Sequence, residues 1–245
     1  MALRTFADGR IFGVRAGDAP RVLALHGWGR DHRDWSGPLS GLDTVALDLP
    51  GFGATPPPPE PWGSPEYAAA LEPVLEDLVA PMVVVGHSFG GRVALQLAER
   101  APERVGALVL SGVPLGPRRA GGRPRLAFRV TRALNRTGLV SHERMESARQ
   151  KYGSDDYRRA EGVMRSVLVK AVAEDYDEVL SQINCPVELV WGGDDTAAPV
   201  AGARAAASAL RRANLTELSG DHFACFTHPQ ELRAAVDRAL AAVGP

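Results

Sequence analysis

The stretch Met82-Val83-Val84-Val85-Gly86-His87-Ser88-Phe89-Gly90-Gly91 decides how the rest of the chain is read. Four consecutive apolar residues, Met82 to Val85, predict a strand covered on both faces rather than one alternating between core and water. From Gly90 to Glu99 the apolar positions recur at helical spacing. Between strand and helix lies Gly-x-Ser-x-Gly. A serine at the tip of so tight a turn is held exposed, and a side chain two residues to either side would strike the neighbouring strand and helix, so both flanking positions need glycine. The bare pattern is short enough to arise by chance; the strand, turn and helix around it give it weight.

Outward from this turn, the same alternation fills most of the 245 residues. Apolar runs at Val22 to Leu25, Thr44 to Leu47, Val105 to Leu110, Val187 to Trp191 and Asn214 to Leu218 predict strands. Helical patterns run from about Pro65 to Val79, Ala201 to Arg211 and Pro229 to Val243. The fold class that follows is α/β: a mostly parallel twisted sheet with helices on both faces. From residue 114 to 182 no strand pattern occurs, and three or four helices are predicted instead. One starts near Ser154-Asp155-Asp156, with its acids at the positive end of the helix dipole, and carries Tyr157, Ala160, Met164, Val167 and Leu168 on one apolar face. Residues 1–113 and 183–245 thus form the core and 114–182 an all-helical cap insertion. Its expected place is over the carboxyl edge of the strands, where open α/β sheets bind ligands. Leu126, Phe128, Met145, Met164 and Leu168 are its candidate substrate contacts. The segment Ala54 to Ser64, ATPPPPEPWGS, reads as a stiff extended connector.

Composition narrows the function classes. With 28 basic and 29 acidic residues the formal net charge is −1, so no global field favours nucleic acid or an anionic membrane. Seven arginines from Arg118 to Arg136, with no acid among them, read as a solvated cap face, the sharper alternative being recruitment of an anionic substrate. Cys185 and Cys225 lie outside any metal-ligand spacing and read as two buried thiols, with neither a disulfide framework nor a zinc site. The opening MALRTFADGR carries charge in its first turn, and no run approaches the length of a membrane span. The expectation is a cytoplasmic monomer or homodimer acting on a small molecule, away from nucleic acid and membrane.

A serine hydroxyl needs a base to take its proton. Of the six histidines, His87 is tied to the turn itself and reads as structural with its side chain directed elsewhere, His32 and His142 as surface residues, and His228, before Pro229, as a helix-start residue. His222 follows the last strand and a Ser219-Gly220-Asp221 turn, which brings it to the edge where Ser88 sits. The imidazole in turn needs a carboxylate to fix its tautomer. Gly192-Gly193-Asp194-Asp195 follows strand Val187 to Trp191 at the same edge, and spacing alone does not separate the two aspartates. For the anion of a tetrahedral intermediate, the backbone N–H of Phe89 at the helix start is one donor. The N–H of Trp28, in the loop His26-Gly27-Trp28-Gly29 after strand Val22 to Leu25, is the second.

These landmarks resemble the α/β-hydrolase superfamily over nearly the whole chain: His26-Gly27-Trp28, Asp48-Leu49-Pro50-Gly51-Phe52-Gly53, Gly86 to Gly91, Trp191 to Asp195 and Gly220-Asp221-His222-Phe223, in the family's order. The resemblance implies a Ser, Asp, His triad of Ser88, Asp195 and His222. Gly192 and Pro199 bracket Asp195 as the family's acid is bracketed, which selects it over Asp194. It further implies cofactor-free hydrolysis of a small or medium ester, thioester or lactone through an acyl-enzyme. Carbon–carbon bond hydrolysis, perhydrolysis, a lyase reaction and a slow-turnover receptor use the same scaffold. A serine where dehalogenases and epoxide hydrolases carry aspartate disfavours those chemistries.

Overall fold

The computed structural model describes residues 2–76, 78–115 and 155–244. Among them an eight-stranded sheet runs in the order β1-β2-β4-β3-β5-β6-β7-β8. The strands are β1 (Leu3–Phe6), β2 (Ile11–Ala16), β3 (Val22–Leu25), β4 (Thr44–Asp48), β5 (Met82–His87), β6 (Val105–Ser111), β7 (Val187–Gly192) and β8 (Ala213–Leu218). From β4 to β8 every neighbouring pair is parallel, while β1 and β2 add an antiparallel margin.

The continuous apolar runs are explained by two covered faces. Leu23, Leu25, Val84, Leu108, Leu110, Leu189 and Trp191 point into one core, and Val22, Ala24, Val83, Val85, Ala107, Val109 and Val190 into the other. The first core is closed by α1 (Ser64–Glu76) and α2 (Phe89–Arg100). The second is closed by a 3₁₀ turn at His32–Trp35 and the carboxyl-terminal helix Pro229–Val243, through Trp35, Leu232 and Val236.

The β1–β2 hairpin lies outside the predicted elements. Three of the four β1 residues are exposed, so no apolar run marks it. The available signal was Asp8-Gly9, a turn dipeptide, and the turn does hold Ala7, Asp8 and Gly9 at positive φ. Cys225 is buried, whereas Cys185 is only half-buried, contrary to the expectation of two buried thiols.

Between β6 and β7 the described residues form α3 (Asp155–Arg159), α4 (Gly162–Ala173) and α5 (Asp177–Gln182). The single helix expected from Ser154 through Leu168 is therefore two. Glu161 is extended and Gly162 sits at φ +51°, so helical hydrogen bonding stops at Ala160 and restarts one turn later. Leu126, Phe128, Met145, His142 and the arginine run lie outside the described residues.

Two ion pairs or charged hydrogen bonds bind this insertion to α1: Lys170 Nζ to Glu66 Oε1 at 2.6 Å and Ser64 N–H to Glu174 Oε1 at 2.6 Å. The Arg92 guanidinium of α2 also donates to the Ala171 carbonyl. Among the described residues no helix is long and apolar enough to cross a membrane.

Candidate active site

Strand β5 delivers Ser88 to the carboxyl edge of the sheet, in a conformation few residues adopt. Its φ is +50° and ψ −109°, outside the regions open to an ordinary side chain and costing about 1–3 kcal/mol. The structure holds it there from two directions. The Ser88 N–H donates to the Ser111 carbonyl at 2.8 Å, and Gly86 and Gly90 allow strand and helix to close around the turn. A Cβ at Gly86 would lie 2.5 Å from the Gly91 Cα, and one at Gly90 2.2 Å from the Leu25 oxygen, so the pattern's two glycines are required by backbone contact.

Three loops then meet. The Ser88 hydroxyl lies 3.0 Å from His222 Nε2, and His222 Nδ1 lies 2.8 Å from Asp195 Oδ2. Asp195 is buried, with its other oxygen accepting the N–H groups of Ala197 at 2.8 Å and Ala198 at 2.7 Å. A carboxylate so held accepts the Nδ1 proton, which leaves Nε2 as the acceptor for the serine hydroxyl. Asp194 is exposed and points no side chain into this line; its N–H donates to the Gly220 carbonyl.

The loop after β3 is fixed by His26, whose Nε2 accepts the Leu49 N–H at 3.0 Å while Nδ1 contacts the Gly27 carbonyl at 2.7 Å. Gly27 presses on the serine turn: a Cβ there would lie 2.9 Å from His87 Cδ2 and 3.5 Å from Ser88 Cβ. The peptide that follows carries the Trp28 N–H. The Phe89 N–H opens α2, where first-turn donors have no acceptor within the helix. The two rings meet edge to face at 5.4 Å, with Phe52 4.9 Å from Trp28.

A cavity of about 580 Å³ opens beside these groups, lined by Trp28, Phe52, Phe223 and Met164 together with the charged residues Arg30, Asp156, Arg159 and Glu161. Met164 lines this cavity against Gly51, with its sulfur 4.0 Å from the Tyr67 hydroxyl. Leu168 does not line the cavity. One turn further along α4 it is buried against Tyr157 and Ala160, behind the Trp28 indole, and so supports the wall instead of forming it.

Two histidines differ from their sequence reading. His32 is no simple surface residue: its Nδ1 and its N–H both reach Asp48 Oδ1, at 2.7 and 2.9 Å, and Asp48 Oδ2 takes the Ala54 N–H. With Asp31, whose oxygens are engaged by Arg33, these groups lie close enough for a cation, but their bonds tie the loops after β3 and β4 together. His87 is buried and not directed away from the base; its ring centroid is 4.9 Å from that of His222. His228 does stand at the start of the carboxyl-terminal helix, its Nδ1 3.1 Å from the Ala224 carbonyl.

Burial, aided by the nearby His222 and Arg30, pushes His87 down to about 3, and burial also lowers His26. His87 stays neutral in the native state while the unfolded chain takes up its proton below about pH 6.5. Its contribution to stability is accordingly constant above that pH and falls as pH drops below it, by up to about 1.4 kcal/mol per pH unit, and the lowered His26 acts in the same direction. Urea unfolding at pH 7, 6 and 5 checks this. The slope is expected to be flatter in H87F, and equal slopes would contradict the assignment.

Three comparisons bear on this site. The alpha/beta hydrolase family model matches residues 22–235. The chain is 32% identical over 239 residues to the dihydrolipoyllysine-residue acetyltransferase component of the acetoin cleaving system of Cupriavidus necator, covering 82% of this chain and 60% of that protein. It thus spans about three fifths of that relative's length. It is 27% identical over 247 residues to the pimeloyl-[acyl-carrier protein] methyl ester esterase of Aromatoleum aromaticum, covering 89% of this chain and 97% of that one. A thermophilic esterase from Thermogutta terrifontis shares the fold with a TM-score of 0.71 at 22% identity, over 100% of both chains.

Proposed function

Because the chain belongs to the alpha/beta hydrolase family, we propose that it is a serine esterase that cleaves a small or medium ester, thioester or lactone through an acyl-enzyme on Ser88. The observation that carries this reading is the unbroken line from Asp195 through His222 to Ser88, at 2.8 and 3.0 Å, near a cavity lined by aromatic rings and charged side chains.

In this mechanism the Ser88 oxygen attacks the carbonyl carbon as its proton passes to His222 Nε2. Asp195 stabilises the imidazolium that forms. The carbonyl oxygen becomes an oxyanion, held by the N–H groups of Phe89 and Trp28; in other enzymes losing one such donor costs about 100 to 1000-fold in turnover. The tetrahedral adduct collapses, its carbon–oxygen or carbon–sulfur bond breaks, and the leaving group takes the proton back from His222. Water then repeats the sequence on the acyl-enzyme and restores the serine. The described part of the insertion lines the cavity through Arg159, Ala160 and Met164, and its ties to Glu66, Ser64 and Arg92 hold that side in place, which in this reading limits acyl size.

Labelling with a fluorophosphonate probe, followed by peptide mapping, tests the nucleophile; modification elsewhere than Ser88 sinks the reading. A nitrophenyl ester series from acetate to decanoate then bounds the pocket. Met164→Ala removes the thioether that stands on Gly51. It is expected to raise the octanoate-to-butyrate ratio of kcat/KM about tenfold, the scale of one or two methylenes in an apolar pocket. An unchanged ratio would remove Met164 from the acyl site.

A further inference from the structure

The mechanism above makes no use of His87, yet its ring lies against the base His222 and the Gly27 loop, and its backbone leads into Ser88. We infer that His87 is a positioning residue: its ring is a wedge that holds the His222 imidazole and the Gly27 peptide in register with Ser88.

The ring occupies a slot between two glycines. A Cβ on Gly27 would come 2.9 Å from His87 Cδ2, and one on Gly112 would come 3.0 Å from His87 Cε1. The same Cβ on Gly112 would lie 2.8 Å from His222 Cε1, so this wall of the slot bears on both rings. His222 packs against the His87 ring at 4.9 Å, Phe226 edge-on at 4.9 Å and Phe223 at 5.6 Å. Cys225, three residues after His222, brings its sulfur 3.8 Å from His87 Nδ1.

On one side, then, the ring abuts the loop carrying the Trp28 N–H. On the other it abuts the base, and its own backbone leads directly into Ser88. Nε2 is buried without a hydrogen-bond partner among the described residues, and the ring's polar contacts are the Cys225 sulfur and the Ser111 backbone. Shape is what the slot selects, and a misplacement of about 1 Å between reacting groups is enough to cost on the order of 100-fold in rate.

The inference rests on the serine mechanism proposed above, and the experiment separates the two. Wild type, H87A and H87F are compared for melting temperature, for kcat and KM on a nitrophenyl ester well below the lowest melting temperature, and for the rate of Ser88 phosphonylation. H87A is expected to lose about 30 to 100-fold in kcat and in phosphonylation rate with KM within about threefold, and H87F to recover to within about fivefold of wild type. The pH profile of kcat/KM is expected to be the same in H87F as in wild type. H87A within threefold of wild type, or H87F as slow as H87A, would overturn the wedge. Should H87A fail to fold, H87F decides alone against wild type: kcat within about fivefold supports the wedge, and a larger loss overturns it. Wild type left unlabelled at Ser88 would remove the mechanism itself, whereas equal labelling of wild type and H87A removes only the wedge.

Discussion

Ser88→Ala is expected to lower kcat on a nitrophenyl ester by about 10⁴ to 10⁶-fold, the largest effect any single side chain here can have. Among the described residues the hydroxyl has one partner, His222 Nε2, and removing one oxygen leaves the turn and the helix start in place. The loss therefore falls on the chemical step. Substrate binding is expected to persist, as KM or as a spectroscopically measured Kd within about threefold. Stability is expected to move by no more than about 1 kcal/mol, because alanine inherits the same unfavourable φ of +50°. What remains is whatever the backbone donors and the cavity achieve on their own. Activity within tenfold of wild type would show that another group attacks the substrate, and the whole assignment would fall with it.

How much of this could be read from residues alone follows from what each signal measures. Strands β3 to β7 were legible because burial on both faces writes itself as uninterrupted apolar sequence. The β1–β2 hairpin was not, since an exposed margin strand has no such constraint and only Asp8-Gly9 betrays the turn. The glycines flanking Ser88 were legible because backbone contact at 2.2 to 2.5 Å admits no other residue. Periodicity ran through Glu161 and Gly162 because it counts apolar positions and is blind to φ, so one helix was expected where two occur. Leu168 shared Met164's helix face in the sequence, but the wall has depth, and one turn along α4 is enough to pass from its surface to its support. His32 and His87 were misread for a common reason. Their partners, Asp48 and the rings of His222 and Phe226, are distant in sequence and met only through the sheet order.

The adjacent aspartates give the sharpest test, because one amide substitution on each carries opposite expectations. Asp195 is an acceptor on both oxygens: Oδ1 takes two loop N–H groups, from Ala197 and Ala198, and Oδ2 takes the proton on His222 Nδ1. In D195N the carboxamide must choose. Turning its NH₂ toward the loop would oppose the two loop donors and leave buried N–H groups unpaired, so the oxygen stays with the loop and the NH₂ faces His222. Nδ1 must then accept, the ring proton moves to Nε2, and the nitrogen that should take the Ser88 proton already holds one. The expected result is a fall in kcat of about 10⁴-fold with KM and the melting temperature little changed, as an amide in place of the triad acid does elsewhere. Asp194 is exposed and joins the fold through its N–H, which an amide leaves untouched, so D194N is expected within threefold of wild type. A D195N enzyme retaining a tenth of its kcat would mean that His222 is oriented by something other than this carboxylate. A collapse in D194N with D195N active would move the acid one residue upstream and break the hydrogen-bonded line from which the mechanism is built.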